Sequence, residues 1–465
     1  MSGEQALLDA AALRAAGRWA AAPSAVALAD GDALIVDKWL RILPGKRLTG
    51  IARWHGRAVL AKLFVARRGS ERHWQRECQG LDNLARHALP APGLLASGQL
   101  PGGGYFVLIE YLDNTRRPDA ASIADLAPVF EMLGRMHAQG LLQEDAHLGN
   151  FLLQEGALRV IDGGAIQPAA SAHARLDNLA MLFAQLTLAV EHALRADLLA
   201  AYRAGHPEAA LDAAQLRAAV DRAREARLAD YLDKCLRDCS LFKVSRRIDR
   251  FYSLVRSETD FLAPLIADPD AWLEQGIALK RGRTATVARI ELQGRALVIK
   301  RYNIKSAGHA LSRLWRPSRA WHSWLAAHHL RLLGIATPRP LALIEQRLGP
   351  LRGRAWLITE YCAGPNLQDT LAAREEENAP GETLHAVHSL FTQLAAARIS
   401  HGDLKATNFI LSGHELCVLD LDAMKRHATE AGWRAAWRKD RARFLRNWPA
   451  GSVLRQEMAA ALPPA

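Results

Sequence analysis

The sequence predicts a mixed α+β protein in which one architecture occurs twice. Three observations carry that reading. An Asp, an Asn five positions later and a second Asp 17 positions after the first occur at Asp145, Asn150 and Asp162, and again at Asp403, Asn408 and Asp420. A β-branched, strand-like run with one embedded lysine precedes each triplet, at Lys62 and at Lys300. In each half strand-patterned residues come first and helix-patterned residues dominate afterwards. Two tandem domains follow, each with a small β-rich lobe and a helical lobe, over residues 1–256 and 273–465, joined by a junction at 257–272 where Pro264 and Pro269 punctuate a mixed acidic segment.

Composition sets the outer bounds. A chain of 465 residues, half of them apolar, has material for two or three cores. No apolar run reaches the roughly 18 residues of a membrane span. Met1-Ser2-Gly3-Glu4-Gln5 opens with an acid and has no basic region before an apolar stretch, so a secretory signal is not expected. The five cysteines lack metal-ligand spacing, and Cys235 and Cys239 stand one helical turn apart as packing residues. Reduced thiols and a cytoplasmic location are expected. A net charge of +12 favours polyanionic company: nucleic acid, an anionic membrane surface or a phosphorylated substrate. Charge alone does not choose among them.

Taken in order, residues 1–30 are alanine-rich and predict helix. Ala33 to Leu40 predicts a strand, Pro44 to Arg47 a turn, and Ile51 to Trp54 a second strand. This is either a hairpin that covers phosphates or an ordinary one. Ala58 to Val65 is a strand whose Lys62 has apolar neighbours. A buried ammonium needs an anionic partner or loses its proton. The next helix supplies one in Glu77, which shares that helix with Leu81 and Leu84. Tyr105 to Leu112, carrying Glu110, is a strand that runs into a linker. Ile123 to Ala138 is a helix that delivers the chain to Asp145. Arg175 onward begins a long helix with Asp177 as N-terminal cap, and residues 184–256 predict further basic helix.

The second half repeats the order. Ala278 to Val287 reads as strand, turn, strand, and Arg295 to Tyr302 carries Lys300. The helix Ser318 to Leu333 has no Glu or Asp, and Ser323 or a neighbour takes the position of Glu77. Lys300 is therefore expected to lack its ion-pair partner, which puts chemistry by this half in doubt. Trp356 to Tyr361, with Glu360, repeats the strand before the linker. Asp422 stands where the first half has Gly164, as an extra metal ligand or a turn residue. Two segments mix arginine with tryptophan, at 313–321 and 433–448. They suit a headgroup or sugar-phosphate surface, or equally tryptophans buried under arginine stems.

Protein-kinase-like enzymes use this constellation to place a base, a metal amide and a metal carboxylate around one phosphate. Asp145 and Asp403 are then the bases that take the proton of an attacking hydroxyl. Asn150 with Asp162, and Asn408 with Asp420, hold Mg²⁺, a hard cation that prefers oxygen. Lys62 with Glu77, and Lys300, grip the phosphates of ATP. Glu110 and Glu360 lie where the strand enters the linker that binds adenine. Glu144-Asp145, His147 to Leu153, Ile161-Asp162-Gly163, His401-Gly402-Asp403, Asn408-Phe409-Ile410 and Gly334 to Pro338 resemble the lipopolysaccharide kinase family, in two copies. In the kinase fold an Asp placed like Asp177 also braces the catalytic loop from below. The resemblance implies transfer of the γ-phosphoryl of ATP to a heptose hydroxyl of the lipopolysaccharide core, beside an anionic inner-membrane face, with no nucleic acid as partner. A protein Ser/Thr kinase is an alternative, for which Lys405 speaks slightly, although no Ala-Pro-Glu follows either metal Asp closely. A non-catalytic tandem scaffold is another, against which the complete polar set of the first half argues.

Overall fold

Alternation along the lysine strand Arg57–Phe64 divides its side chains between two faces. Val59, Ala61 and Leu63 enter one apolar cluster with Leu34, Val36, Leu48 and Ala52. Leu60 and Phe64 pack with Leu81, Val107 and Ile109 on the other face. Lys62, between Leu60 and Phe64, therefore looks at the helix Ser70–Arg86, which carries Leu81. The same rule acts in Arg295–Tyr302. Leu297 and Ile299 enter one cluster, and Tyr302 packs with Ala320 and Trp324 of the helix Arg319–Leu332 on the face that Lys300 shares.

The computed structural model describes residues 7–29, 31–169, 171–303, 316–372 and 378–464. The segment Met1 to Gln5 and the start of the first arginine–tryptophan stretch, Arg313-Leu314-Trp315, lie outside the described residues. The chain forms two compact units, Met1–Leu186 with Val190–Arg224, and Thr187–Ala189 with Glu225–Ala465.

In the first unit six antiparallel strands lie in the order Ser24–Ala27, Ala33–Leu43, Arg47–Trp54, Arg57–Phe64, Tyr105–Glu110 and Leu94–Gln99. Lys62 pairs with Thr49 on one side and Val107 on the other, so the lysine strand is interior. The helices Ile123–Ala138, Ala172–Phe183 and Leu188–Gly205 surround a separate core that includes Leu126, Phe130, Leu133, Phe183 and Tyr202. In the second unit seven antiparallel strands lie in the order Phe242–Arg246, Arg250–Val255, Pro340–Leu348, Leu351–Glu360, Arg295–Tyr302, Ala285–Leu292 and Ile277–Arg281. Its helical core gathers Phe391, Phe409, Trp437 and Phe444. Each unit is α+β. Among the described residues no helix is long and apolar enough to cross a membrane.

Three local expectations change. The alanine-rich start holds only the short helix Ala10–Ala16, followed by the strand Ser24–Ala27, whose Val26 is buried in the sheet core. Residues 242–255, expected to be helical, form two strands: Phe242, Val244, Phe251, Tyr252 and Val255 are aromatic or β-branched, and pairing with Pro340–Leu348 fixes them. The expected junction 257–272 is instead built into the second unit. Its helices Thr259–Ala267 and Pro269–Gln275 bury Leu262, Leu265 and Leu273 in that unit's sheet core, so the packing divides ahead of it, after Arg224.

Candidate active site

In the helix Ser70–Arg86 the buried residues Glu77, Gly80, Leu81 and Leu84 follow the spacing of one helical face. Glu77 is 1% exposed and meets Lys62 with Nζ–Oε1 2.6 Å. Lys62 also reaches Asp162 Oδ1 at 3.0 Å. The Gly164 N–H donates to Glu77 Oε2 at 3.2 Å, which ties the turn after Asp162 to the same carboxylate. Two glycines permit this closeness. A Cβ on Gly80 would lie 1.8 Å from the Gly163 carbonyl oxygen, and one on Gly163 would lie 2.8 Å from the Glu77 carbonyl oxygen. Asp162 itself has φ 68°, a left-handed backbone that costs a non-glycine residue about 1–2 kcal/mol. Burial works to raise the Asp162 carboxyl, but Lys62, Arg47 and His147 outweigh it and hold the group below its ordinary value.

The loop beneath is fixed by its own amides. Asn150 Nδ2 donates to the Asp145 carbonyl oxygen at 2.9 Å, and the Ile161 N–H donates to the Asn150 carbonyl oxygen at 2.9 Å. The Asp145 side chain is 70% exposed, with His147 Nε2 3.6 Å away. With its nitrogen engaged, Asn150 has only Oδ1 to present to a cation. Asp162 bonds Lys62 through Oδ1, with Oδ2 outside that bond. Two hard oxygens on adjoining turns suit a Mg²⁺-like ion that takes its other ligands from phosphate and water. Among the described residues no group of three or more His, Cys, Asp or Glu gathers to hold a metal. Glu110 exchanges bonds with Gly93, through its own N–H at 2.9 Å and through Oε2 at 3.3 Å.

The second unit repeats the loop bond for bond. Asn408 Nδ2 donates to the Asp403 carbonyl oxygen at 2.9 Å, and the Leu419 N–H donates to the Asn408 carbonyl oxygen at 2.8 Å. Asp420 has φ 55°. Burial raises the Asp420 carboxyl, and Lys300 more than reverses the shift. Asp403 Oδ2 accepts from Lys405 at 2.6 Å. The Glu360 carboxylate is taken by Arg295 at 3.0 Å and Arg339 at 3.2 Å.

Lys300 does not lack a partner. It bonds Asp420 Oδ1 at 2.6 Å and Asp422 Oδ1 at 2.9 Å. Burial presses Lys300 toward neutrality, but Tyr302, Asp422 and Asp420 hold its pKa above that of an ordinary lysine. The carboxylates come from the turn at Asp420 and Asp422 and not from the helix.

Sequence reasoning also missed the residues that hold each loop from below. Asp177 is neither a cap nor a brace: Ser171 caps its helix, and Asp177 faces His173 and Arg222 at the surface. The next residue, Asn178, does the work. Its Nδ2 donates to the Gln143 carbonyl oxygen at 2.6 Å, and its Oδ1 accepts from His137 Nε2 at 3.0 Å. Seven residues on, Gln185 donates to the Ala146 carbonyl oxygen at 2.8 Å and accepts from the Leu148 N–H at 3.0 Å. In the second unit Asp440 accepts from the His401 and Gly402 N–H groups at 2.7 and 3.1 Å, and Asn447, again seven residues on, donates to the Leu404 carbonyl oxygen at 3.2 Å. A polar pair seven apart near a helix C-terminus was the available signal.

The tryptophans of the arginine-rich stretch 433–448 are core. Trp433, Trp437 and Trp448 are buried with Phe444. Trp321 lies under the guanidinium of Arg352, 4.6 Å from the ring centroid.

Interior lysine, helix or turn carboxylate, and an Asp–Asn loop closed by a left-handed Asp define a protein-kinase-like fold. Residues 269–456 match the lipopolysaccharide kinase (Kdo/WaaP) family, and residues 102–186 match the lipopolysaccharide core biosynthesis protein (WaaY). Over 109 residues the chain is 27% identical to a 3-deoxy-D-manno-octulosonic acid kinase of Vibrio cholerae serotype O1 (strain ATCC 39315 / El Tor Inaba N16961), which covers 23% of this chain and 45% of that relative. The chain thus spans about half the length of this curated relative. A solved structure of WaaP in complex with acyl carrier protein is 25% identical, covers 41% of this chain and 88% of its own, and has a TM-score of 0.32. Together these matches support kinship with the lipopolysaccharide kinases.

Proposed function

We propose that this chain transfers the γ-phosphoryl group of ATP to a sugar hydroxyl of the lipopolysaccharide core, through two kinase-like copies. One observation carries this: Lys62, Glu77 and Asp162 form one bonded cluster beside a loop in which Asn150 fixes Asp145. Lys62, kept in place by buried Glu77, draws in the α- and β-phosphates. Asp145 is exposed, so an acceptor hydroxyl can approach and give up its proton as it attacks. Asn150 and Asp162 would hold Mg²⁺, which would supply positive charge to offset that of the phosphates. Asp403, Asn408, Asp420 and Lys300 repeat the set. Glu110 and Glu360 flank the linker that would carry adenine.

The acceptor we favour is a heptose. A 3-deoxy-D-manno-octulosonic acid hydroxyl is the second reading, favoured by the activity named for the Vibrio relative. Work on a glycolipid with cytoplasmic ATP places the enzyme at the inner face of the inner membrane. Incubation with γ-labelled ATP and core oligosaccharides that end in either sugar distinguishes the two acceptors. Asp145→Ala should lower turnover by the first unit about 10²-fold or more, measured with Asp403→Ala in the background. Unchanged turnover would remove Asp145 from the chemistry, and label on neither sugar would remove the lipopolysaccharide acceptor.

A further inference from the structure

Each lysine meets two carboxylates, but the second carboxylate comes from different elements in the two units. In the first unit the carboxylate comes from the helix, at Glu77, and the turn position two residues after Asp162 is Gly164. These positions crowd each other: a Cβ on Gly164 would lie 3.0 Å from Glu77 Oε2, so the carboxylate would have to shift by a few tenths of an ångström. In the second unit the helix offers Ser323, which is 2% exposed, and the turn position two residues after Asp420 is Asp422. The Asp422 side chain is 9% exposed. Its Oδ1 meets Lys300 at 2.9 Å, the Tyr302 hydroxyl at 2.7 Å and the Ser323 hydroxyl at 2.8 Å. Its Oδ2 meets Arg319 at 2.9 Å.

We infer that Asp422 and Ser323 are a reciprocal exchange of Glu77 and Gly164, so that Asp422 is the positioning residue that holds Lys300 for the phosphates of a nucleotide. Four donors already engage the Asp422 carboxylate, three of them on Oδ1, so it is a poorer metal ligand than Asp420. Asp420 would take that role, with Oδ2 outside its Lys300 bond. Arg319 gives this cluster a second cation with no counterpart in the Lys62 bonds, so the two acids and two bases balance. The second copy is accordingly built to bind nucleotide rather than impaired by its helix. This part rests on the kinase reading above. The exchange itself does not.

Four full-length proteins test it, all in a Lys62→Ala background so that only the second unit reports: the parent, Asp422→Gly, Ser323→Glu, and both together. Mg-ATP affinity is read by calorimetry, and thermal unfolding is read without nucleotide. Asp422→Gly leaves Lys300 with one carboxylate and should weaken ATP binding roughly tenfold. Ser323→Glu sets a second acid against Asp422 and should also weaken it. The double variant should return within about threefold of the parent, a non-additivity expected of groups in direct contact. The mirror pair Glu77→Ser with Gly164→Asp, in a Lys300→Ala background, should behave alike. Additive losses in both readouts and in both units overturn the exchange. A parent that binds no ATP, yet whose melting temperatures show the compensation, overturns the nucleotide role and leaves the exchange standing.

Discussion

The two loops differ most in what holds them from below. In the first unit the brace is neutral: Asn178 donates a hydrogen bond to the Gln143 carbonyl and accepts one from His137, whose other nitrogen meets the Tyr202 hydroxyl at 2.8 Å. In the second unit it is Asp440, an acceptor only, 5% exposed. The cause lies one residue before each loop Asp. Gly402 has φ 82°, which turns two successive N–H groups toward one point, an arrangement that favours an anion. Glu144 stands there in the first unit, and its N–H goes to the Ala165 carbonyl oxygen at 2.7 Å instead. The backbone at this one position thus goes with an amide or a carboxylate 34 to 38 residues downstream. What stays constant is the link to the strand before the metal Asp. Gln143 Nε2 reaches the Ile161 carbonyl oxygen at 3.2 Å, and His401 Nε2 reaches the Leu419 carbonyl oxygen at 2.9 Å.

The strongest way to break this comparison is to remove the acceptor. Asp440→Ala strands the buried His401 N–H and the more exposed Gly402 N–H, and a buried unsatisfied group costs about 1–3 kcal/mol, so the second unit should lose roughly 1–4 kcal/mol. Hydrogen exchange of amides 399–426 should accelerate while exchange of amides 141–168 stays as it was. Asn178→Asp asks the converse question. A carboxylate cannot donate to the Gln143 carbonyl, so the first unit should be destabilised by about as much. Equal tolerance of Asp at 178 and 440 would mean that backbone direction does not choose the brace.

A smaller effect separates the helix–turn contacts. Gly80 stands three residues after Glu77, and Ala326 stands three residues after Ser323. The second unit therefore accepts at 326 the methyl that the first excludes at 80. Gly80→Ala drives a Cβ into backbone, and overpacking of this kind costs typically 1–3 kcal/mol. It should push the helix off the Asp162 turn and weaken ATP binding by the first unit. Ala326→Gly should cost about 1 kcal/mol through helix propensity alone. Denaturant melts of the two variants check the ratio, and a harmless Gly80→Ala would show that the contact is not tight.

These differences explain how much the sequence disclosed. Lys62, Glu77, Asp145, Asn150, Asp162 and their counterparts were legible because local geometry sets their spacing: a pleat for the lysine, a helix face for Glu77, a five-residue turn for Asp and Asn. The pairing of Asp422 with Lys300 was not legible because the two lie 122 residues apart in the chain, and only packing shows which element supplies the charge. Asp177 was chosen in place of Asn178, yet adjacent helical residues point about 100° apart, so an error of one position moves a brace to the surface. Residues 242–255 were given to the wrong half because their pairing partner, Pro340–Leu348, comes much later in the sequence.

The gentlest probe of the comparison is acid, because the two braces titrate in opposite senses. Burial lowers His137 to about 4, only partly opposed by its bond to Asn178, so the first unit folds around a neutral ring. In the unfolded chain this histidine takes a proton near its ordinary 6.5. Between those values the unfolded state binds more protons, so stability falls as pH falls from about 6.5 toward 4, by roughly 3 kcal/mol at the lower end. Asp440 runs the other way. Burial raises it despite the two N–H donors, so protonation favours its folded form as pH falls through its folded pKa. His328 and His329 of the second unit, lowered by burial to about 3 and about 4, oppose that gain. Variants separate the contributions. His137→Gln should be nearly silent at pH 7.5 and should flatten the acid slope of the first unit alone, followed by hydrogen exchange of amides 123–138 at pH 7 and pH 5. An unchanged slope would mean that His137 is protonated in the fold, and that the first loop, like the second, is held by a charge.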